Sequence, residues 1–270
     1  MYNKIDETLK YILNQIKDFK PEVGIILGTG LAKLVDEIEV EKSLMYSHIP
    51  NFPVSTVEFH SGRLIFGVLN GKNVMAMQGR LHYYEGYSMQ QITFPVRILK
   101  LLGIERLFVS NASGSLNPKI KKGDLVCIDD HIDLLPDNPL RGSNMESLGP
   151  RFPDMSRPYD TAMISKAMAI ASEKNINIHK GVYVATSGPN LETKAEYKYM
   201  RLIGGDIVGM STVPEIIVAN HMGLPTFAIS VVTDEGFHED LQPISFEDIV
   251  EIATKVEPKM TMILKELIAL

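Results

Sequence analysis

Apolar residues at Ile5, Leu9, Ile12, Leu13 and Ile16 recur at three- and four-residue intervals, which predicts an amphipathic helix over 3–18, stopped before Pro21. The pattern then tightens into VGIIL (23–27), an apolar run too short for a helix and suited to a buried strand. RLIFGVL (63–69) and NVMAMQ (73–78) flank Asn70-Gly71, a pair that favours a two-residue hairpin. Helical spacing over 91–102 leads to ERLFVS (105–110), a strand expected to end at Asn111. DLVCID (124–129) and GVYVAT (181–186) read as strands, with a helix over 161–174 between them. Helices at 192–203 and 213–222 bracket a short strand, DIVGM (206–210). PTFAISVV (225–232) is the last strand, and 246–268 forms a long closing helix.

Strands alternating with helices imply an α/β layered fold, and the hairpin makes its sheet mixed. No repeat or linker-like break divides the chain, so residues 1–270 are expected to form one domain. Its one long aperiodic stretch, 131–160, carries five prolines, and connections of that length are commonly functional or interfacial. With 45% hydrophobic and 22% charged residues, the chain can bury a sizeable core. A net charge of −6 argues against a nucleic-acid surface, while leaving room for a small anion held by local Arg and His. The lone cysteine, Cys127, excludes an internal disulfide and fits a reducing compartment. Lys4, Asp6, Glu7 and Lys10 interrupt the opening residues, unlike a secretory leader, and no apolar run reaches membrane-spanning length. The expectation is a cytoplasmic protein.

Polar chemistry collects after the strands. Gly28-Thr29-Gly30 follows VGIIL and can bring backbone N–H groups to an anion, although Lys33 breaks a dinucleotide fingerprint. In Gly79-Arg80-Leu81-His82-Tyr83-Tyr84, an extended run would point Arg80, His82 and Tyr84 the same way; guanidinium beside imidazole suits a phosphate. The alternative is an exposed loop with a surface ion pair. Asn111-Ala112-Ser113-Gly114-Ser115 reads as another small-residue turn, and His60 precedes the hairpin. Glu192, at the start of a helix, could complement its dipole. Val208-Gly209-Met210-Ser211-Thr212-Val213-Pro214-Glu215 ends a strand and opens a helix, with Ser/Thr near the cap. Thr233-Asp234-Glu235-Gly236 closes the final strand either as a turn or as the wall of a site. There is no Walker-type phosphate loop and no metal-ligand spacing.

In order, GTGL, HSGRL, GRLHYYEGY, NASGSLN, DNPLRG, RFPDMS, GPNLET, VGMSTVPE and VVTD resemble the trimeric purine nucleoside phosphorylases of the nucleoside phosphorylase family. The resemblance runs from about residue 22 to the closing helix. It implies a single-domain α/β fold with a mixed, barrel-like central sheet flanked by helices. It further implies a homotrimer and reversible phosphorolysis of purine (2′-deoxy)ribonucleosides to free base and (deoxy)ribose 1-phosphate. Inorganic phosphate would be co-substrate, with no metal or organic cofactor. Phosphate would be held by Thr29, His60, Arg80, His82, the Ala112 N–H and Ser211. The ribose would meet Tyr84, Met210 and Phe246, with Phe152 reaching in from a neighbouring subunit. The base would lie against Leu191, Val208, Met210 and Thr233, with Glu192 and Asp234 on its polar edge. Catalysis would rest on His82, Glu192 and Asp234.

Three departures bear on substrate. Asp234 stands where many members acting on inosine and guanosine carry Asn, and relatives using methylthioadenosine carry Asp; Glu192, however, suits the N1–H of a 6-oxopurine. Leu191 replaces a usual aromatic residue. Phe246 stands where a His usually meets the ribose 5′-hydroxyl, His238 being a lesser candidate. The expectation is a 6-oxopurine phosphorylase, with a 6-aminopurine or 5′-methylthioadenosine phosphorylase as alternative. A hydrolase of the same fold and a silent nucleoside-binding protein are further rivals.

Overall fold

A computed structural model describes residues 2–28, 33–55 and 62–270. Among these, nine strands form one sheet in the order β2-β3-β4-β1-β5-β8-β7-β6-β9. They are β1 (Val23–Leu27), β2 (Glu39–Met45), β3 (Arg63–Leu69), β4 (Lys72–Gln78), β5 (Arg106–Ser115), β6 (Leu125–Asp133), β7 (Ile178–Ala185), β8 (Ile207–Gly209) and β9 (Thr226–Glu235). Six helices accompany them: α1 (Tyr2–Ile16), α2 (Met89–Leu101), α3 (Thr161–Glu173), α4 (Lys194–Leu202), α5 (Val213–His221) and α6 (Phe246–Ala269). None is long and apolar enough to cross a membrane.

A further pairing of β5 with β9 turns half of the sheet into a ring, β5-β8-β7-β6-β9, closing the barrel. The other half, β2-β3-β4-β1, extends from β5 as an open wing. Parallel and antiparallel ladders mix throughout: β1 runs parallel to β4 and β5, while β3 and β4 form the antiparallel hairpin anticipated at Asn70-Gly71. Both turn residues take positive φ, 49° and 77°, as the turn matching strand twist demands. One continuous apolar core, with Ile25, Phe66, Phe108, Val126, Phe227 and Ile263 each at most 1% exposed, joins wing, barrel and helices. Cys127 lies inside it, its thiol pushed up to about 12, chiefly by burial.

Several boundaries differ from the sequence reading. α1 packs through Ile5, Thr8, Ile12 and Ile16, while Leu13 is exposed. β2 has no apolar signature, being exposed along most of its length, and pairs antiparallel with β3 at the sheet edge. β5 does not stop at Asn111: it continues through Ser115, because β8 and β9 offer partners to the supposed turn. β9 likewise runs on to Glu235. These overruns carry the site.

Candidate active site

The segments after β4 and β8, the far halves of β5 and β9, and the start of α6 surround a cavity of about 350 Å³, within the usual range for small-molecule sites. Arg80, His82, Tyr84, Ala112, Leu191, Glu192, Val208, Met210, Ser211, Thr233, Asp234 and Phe246 all line it. Thr29 and His60 lie outside the described residues. Phe152 does not line the cavity of its own chain; it is 86% exposed, beside the Arg151 guanidinium.

One part of the lining is cationic and rich in hydroxyls. Arg80, 1% exposed, is no surface residue. Its Nε donates to Glu215 Oε1 at 3.0 Å, and Nη1 donates to Ser110 O at 2.9 Å and Ser211 Oγ at 3.2 Å. The ion pair anticipated as a surface alternative is therefore buried, and Glu215 in the first turn of α5 holds the guanidinium in place. His82 caps the short turn Tyr83–Glu85, with Nδ1 3.0 Å from Glu85 Oε1, and its ring stacks on Tyr84 at 4.7 Å between centroids. That contact keeps the two rings on one wall. Burial, then the Glu85 carboxylate, push the Tyr84 phenol up to about 12, so it stays a neutral hydroxyl. The Ser110 hydroxyl accepts from the Gly28 N–H at 3.2 Å, tying the exit of β1 to the same floor.

The second polar group is Glu192 with Asp234. Glu192 is not part of a helix: α4 begins at Lys194, capped by Thr193 and Glu196, so Glu196 rather than Glu192 meets the helix start. Glu192 instead accepts from Thr186 Oγ1 at 3.0 Å. Asp234 reaches the lining through a β-bulge: Ser113 pairs with Val232 and Gly114 with Asp234, leaving Thr233 as the extra residue. A regular strand would turn Thr233 and Asp234 to opposite faces; the bulge lets both line one wall. Thr233 Oγ1 donates to Asp234 Oδ1 at 3.0 Å. Gly114 makes room for this carboxylate, since a Cβ there would sit 2.6 Å from Asp234 Oδ2. Burial is the first cause raising both carboxyls above the ordinary range, and each also feels a neighbouring acid, Asp234 for Glu192 and Glu235 for Asp234.

Of the turn alternative at this strand end, Gly236 keeps its place, in a turn but buried, while Glu235 does not. Glu235 belongs to β9 and accepts from the Lys122 N–H at 2.9 Å. Gly236 lies flat against Tyr197, whose ring carbons would be 2.3 Å from any Cβ. Tyr197, to which sequence reasoning assigns no role, feels both Asp234 and Glu192, and burial with these charges raises its phenol further. Asn111 and Ile249 also line the cavity, although neither is among the site residues expected from the sequence. Asn111 sits inside a turn-like small-residue run, which is a signal; Ile249 and Tyr197 have none beyond helical spacing.

The family model described as Phosphorylase superfamily matches residues 22–269. The chain belongs to that superfamily. It is 47% identical to Purine nucleoside phosphorylase 1 of Bacillus subtilis, the match covering 100% of this chain and 99% of that protein. It is 43% identical to the Bos taurus purine nucleoside phosphorylase, covering 99% and 95%. Among solved structures, isoform 2 of the Schistosoma mansoni purine nucleoside phosphorylase, in complex with cytosine and ribose-1-phosphate, superposes with a TM-score of 0.94 at 40% identity over 99% of this chain and 96% of that one. A schistosoma purine nucleoside phosphorylase in complex with hypoxanthine gives 0.92 at the same identity and coverage. Family membership makes this chain an enzyme of the phosphorylase type, with the mixed α/β barrel of its relatives.

Proposed function

We propose that the protein is a purine nucleoside phosphorylase that splits purine (2′-deoxy)ribonucleosides with inorganic phosphate, favouring 6-oxopurines such as inosine and guanosine. The observation that carries this reading is the shared cavity: Arg80, His82 and Ser211 offer donors to an anion, and Glu192 with Asp234 offers polar partners to a base. Breaking the ribosidic bond leaves positive charge on the sugar and negative charge on the departing purine. A phosphate held by Arg80, His82, Ser211 and the Ala112 N–H, with Thr29 and His60, stabilises the first; hydrogen bonds at the base edge stabilise the second. Holding both substrates together removes the entropy of their encounter. Tyr84, Met210 and Phe246 flank the sugar. Glu192 accepts from the N1–H of a 6-oxopurine. The reaction calls on phosphate as co-substrate and on no metal or organic cofactor.

The exposed Phe152, on the proline-rich connection, supports a homotrimer in which it closes the neighbouring subunit's ribose site. A second reading, 6-aminopurine phosphorolysis, is favoured by Asp234, an acceptor for a 6-amino group when ionised. A relative solved in complex with adenosine, and one with inosine, superpose on this chain about equally well, with TM-scores of 0.92 and 0.93. Comparing kcat/KM for inosine, guanosine, adenosine and methylthioadenosine decides between them. Inosine and guanosine should lead; a clear preference for either adenine nucleoside would establish the second reading.

A further inference from the structure

The connection from β8 to α5 contains a backbone conformation that is costly for its residue. Thr212 has φ 71° and ψ −55°, and the Val213 N–H donates to Ser211 O at 2.8 Å, closing a three-residue turn around it. This is the rare, strained form of the γ-turn. A β-branched residue is poorly suited to positive φ, and such strain persists only where the surroundings over-determine it. Although Thr212 occupies the helix N-cap position, its side chain makes no capping hydrogen bond. Instead its hydroxyl, fully buried, accepts from Asn111 Nδ2 at 2.8 Å and lies 3.2 Å from Ser211 Oγ.

The hydrogen bonds around Ser211 then fix a polarity. A serine hydroxyl has one proton and two lone pairs. The Arg80 guanidinium can only donate, and it fills one lone pair of Ser211 Oγ. Thr212 Oγ1 accepts from Asn111, and among the described residues the only acceptor within reach of its own buried proton is Ser211 Oγ, so the arrangement that leaves no buried hydroxyl unsatisfied directs that proton to the second lone pair. The Ser211 N–H is also engaged, donating to Tyr183 Oη at 3.2 Å. What remains of Ser211 is its O–H, on a residue that lines the cavity. We infer that Thr212 is a positioning residue for the phosphate site: its strained turn and its hydroxyl lock Ser211 as an obligatory donor to an oxyanion. The strain has a use, because a relaxed helix cap would turn the Thr212 hydroxyl toward the start of α5 and leave Ser211 free to rotate.

This inference rests on the proposed phosphorolysis, and the test separates the two. The measurement is KM for inorganic phosphate, KM for inosine and kcat, with phosphate binding followed by calorimetry, for the wild type and three variants. Thr212→Val keeps the shape and removes the hydroxyl; phosphate KM should rise about tenfold, the loss of one charge-assisted hydrogen bond, while inosine KM stays within about twofold. Thr212→Gly accepts the positive φ without strain, so it should melt no lower than Thr212→Val, which loses the same hydroxyl, yet show the same rise in phosphate KM. Thr212→Ser retains the hydroxyl and should restore phosphate KM to within about twofold of wild type. If Thr212→Val fails to fold, the glycine and serine variants still decide the question. Wild-type phosphate KM in Thr212→Gly, with phosphate-dependent turnover intact, overturns the inference alone. Turnover by the wild type that ignores phosphate overturns the proposed function and this inference with it.

Discussion

Arg80→Ala is expected to cost the protein both its use of phosphate and a large part of its stability. Arg80 and Glu215 form a buried ion pair, 1% and 3% exposed. Removing one partner strands a carboxylate away from water, which destabilises by about 3–5 kcal/mol. The same change removes the guanidinium from the anion-binding wall. Losing two charge-assisted hydrogen bonds of about 1.5 kcal/mol each lowers kcat/KM for phosphate roughly 100-fold or more. The two effects separate in the double variant Arg80→Met/Glu215→Leu. Exchanging a buried pair for apolar groups of similar volume is often neutral, so its melting temperature should recover most of the loss. Phosphate use should not recover. A single Arg80→Ala variant with unchanged phosphate dependence would remove Arg80 from the site.

Asp234→Asn should move base selection toward 6-oxopurines. An ionised carboxylate only accepts, whereas a carboxamide also donates, which suits a 6-oxo group and serves a 6-amino group less well. A hydrogen bond to a charged group is worth about 1.5–3 kcal/mol, so the inosine-to-adenosine ratio of kcat/KM should rise roughly 10- to 150-fold. An unchanged ratio would remove Asp234 from base recognition. The same variant has a pH signature with a definite sign. Burial raises the Asp234 carboxyl above its ordinary value. Its contribution to stability is therefore fully present below the ordinary carboxylate pKa and is lost as pH rises through the raised one. Asp234→Asn removes that titration, so its melting temperature should fall less than that of the wild type across this window.

The sheet is legible in the sequence wherever apolar runs are strong: β1, β3, β4 and the first halves of β5 and β9 lie where the pattern puts them. It is illegible where polar strands are held by pairing alone. β2 lies at the sheet edge with little to bury, so its sequence EVEKSLM carries no alternation to read. The NASGS end of β5 is a strand because barrel closure supplies neighbours on both sides, and no local propensity records that closure. The candidate site follows the same division. Arg80, His82, Tyr84 and Ser211 are visible as clustered chemistry after strands. Asp234 is visible as an acid at a strand end, but the bulge that turns it inward is a property of the β5–β9 register. Glu192 looks like a helix start because the true cap, Thr193, is its neighbour. Tyr197 is hidden altogether, since its importance lies in facing two acids from distant strands and loops.

The joining of a purine nucleoside to phosphate in this cavity is tested most directly by following release of hypoxanthine from inosine with and without inorganic phosphate, and assaying the sugar product. Turnover should require phosphate and yield ribose 1-phosphate in equal amount to the base. Base release at full rate in phosphate-free buffer, with free ribose as the product, would contradict it.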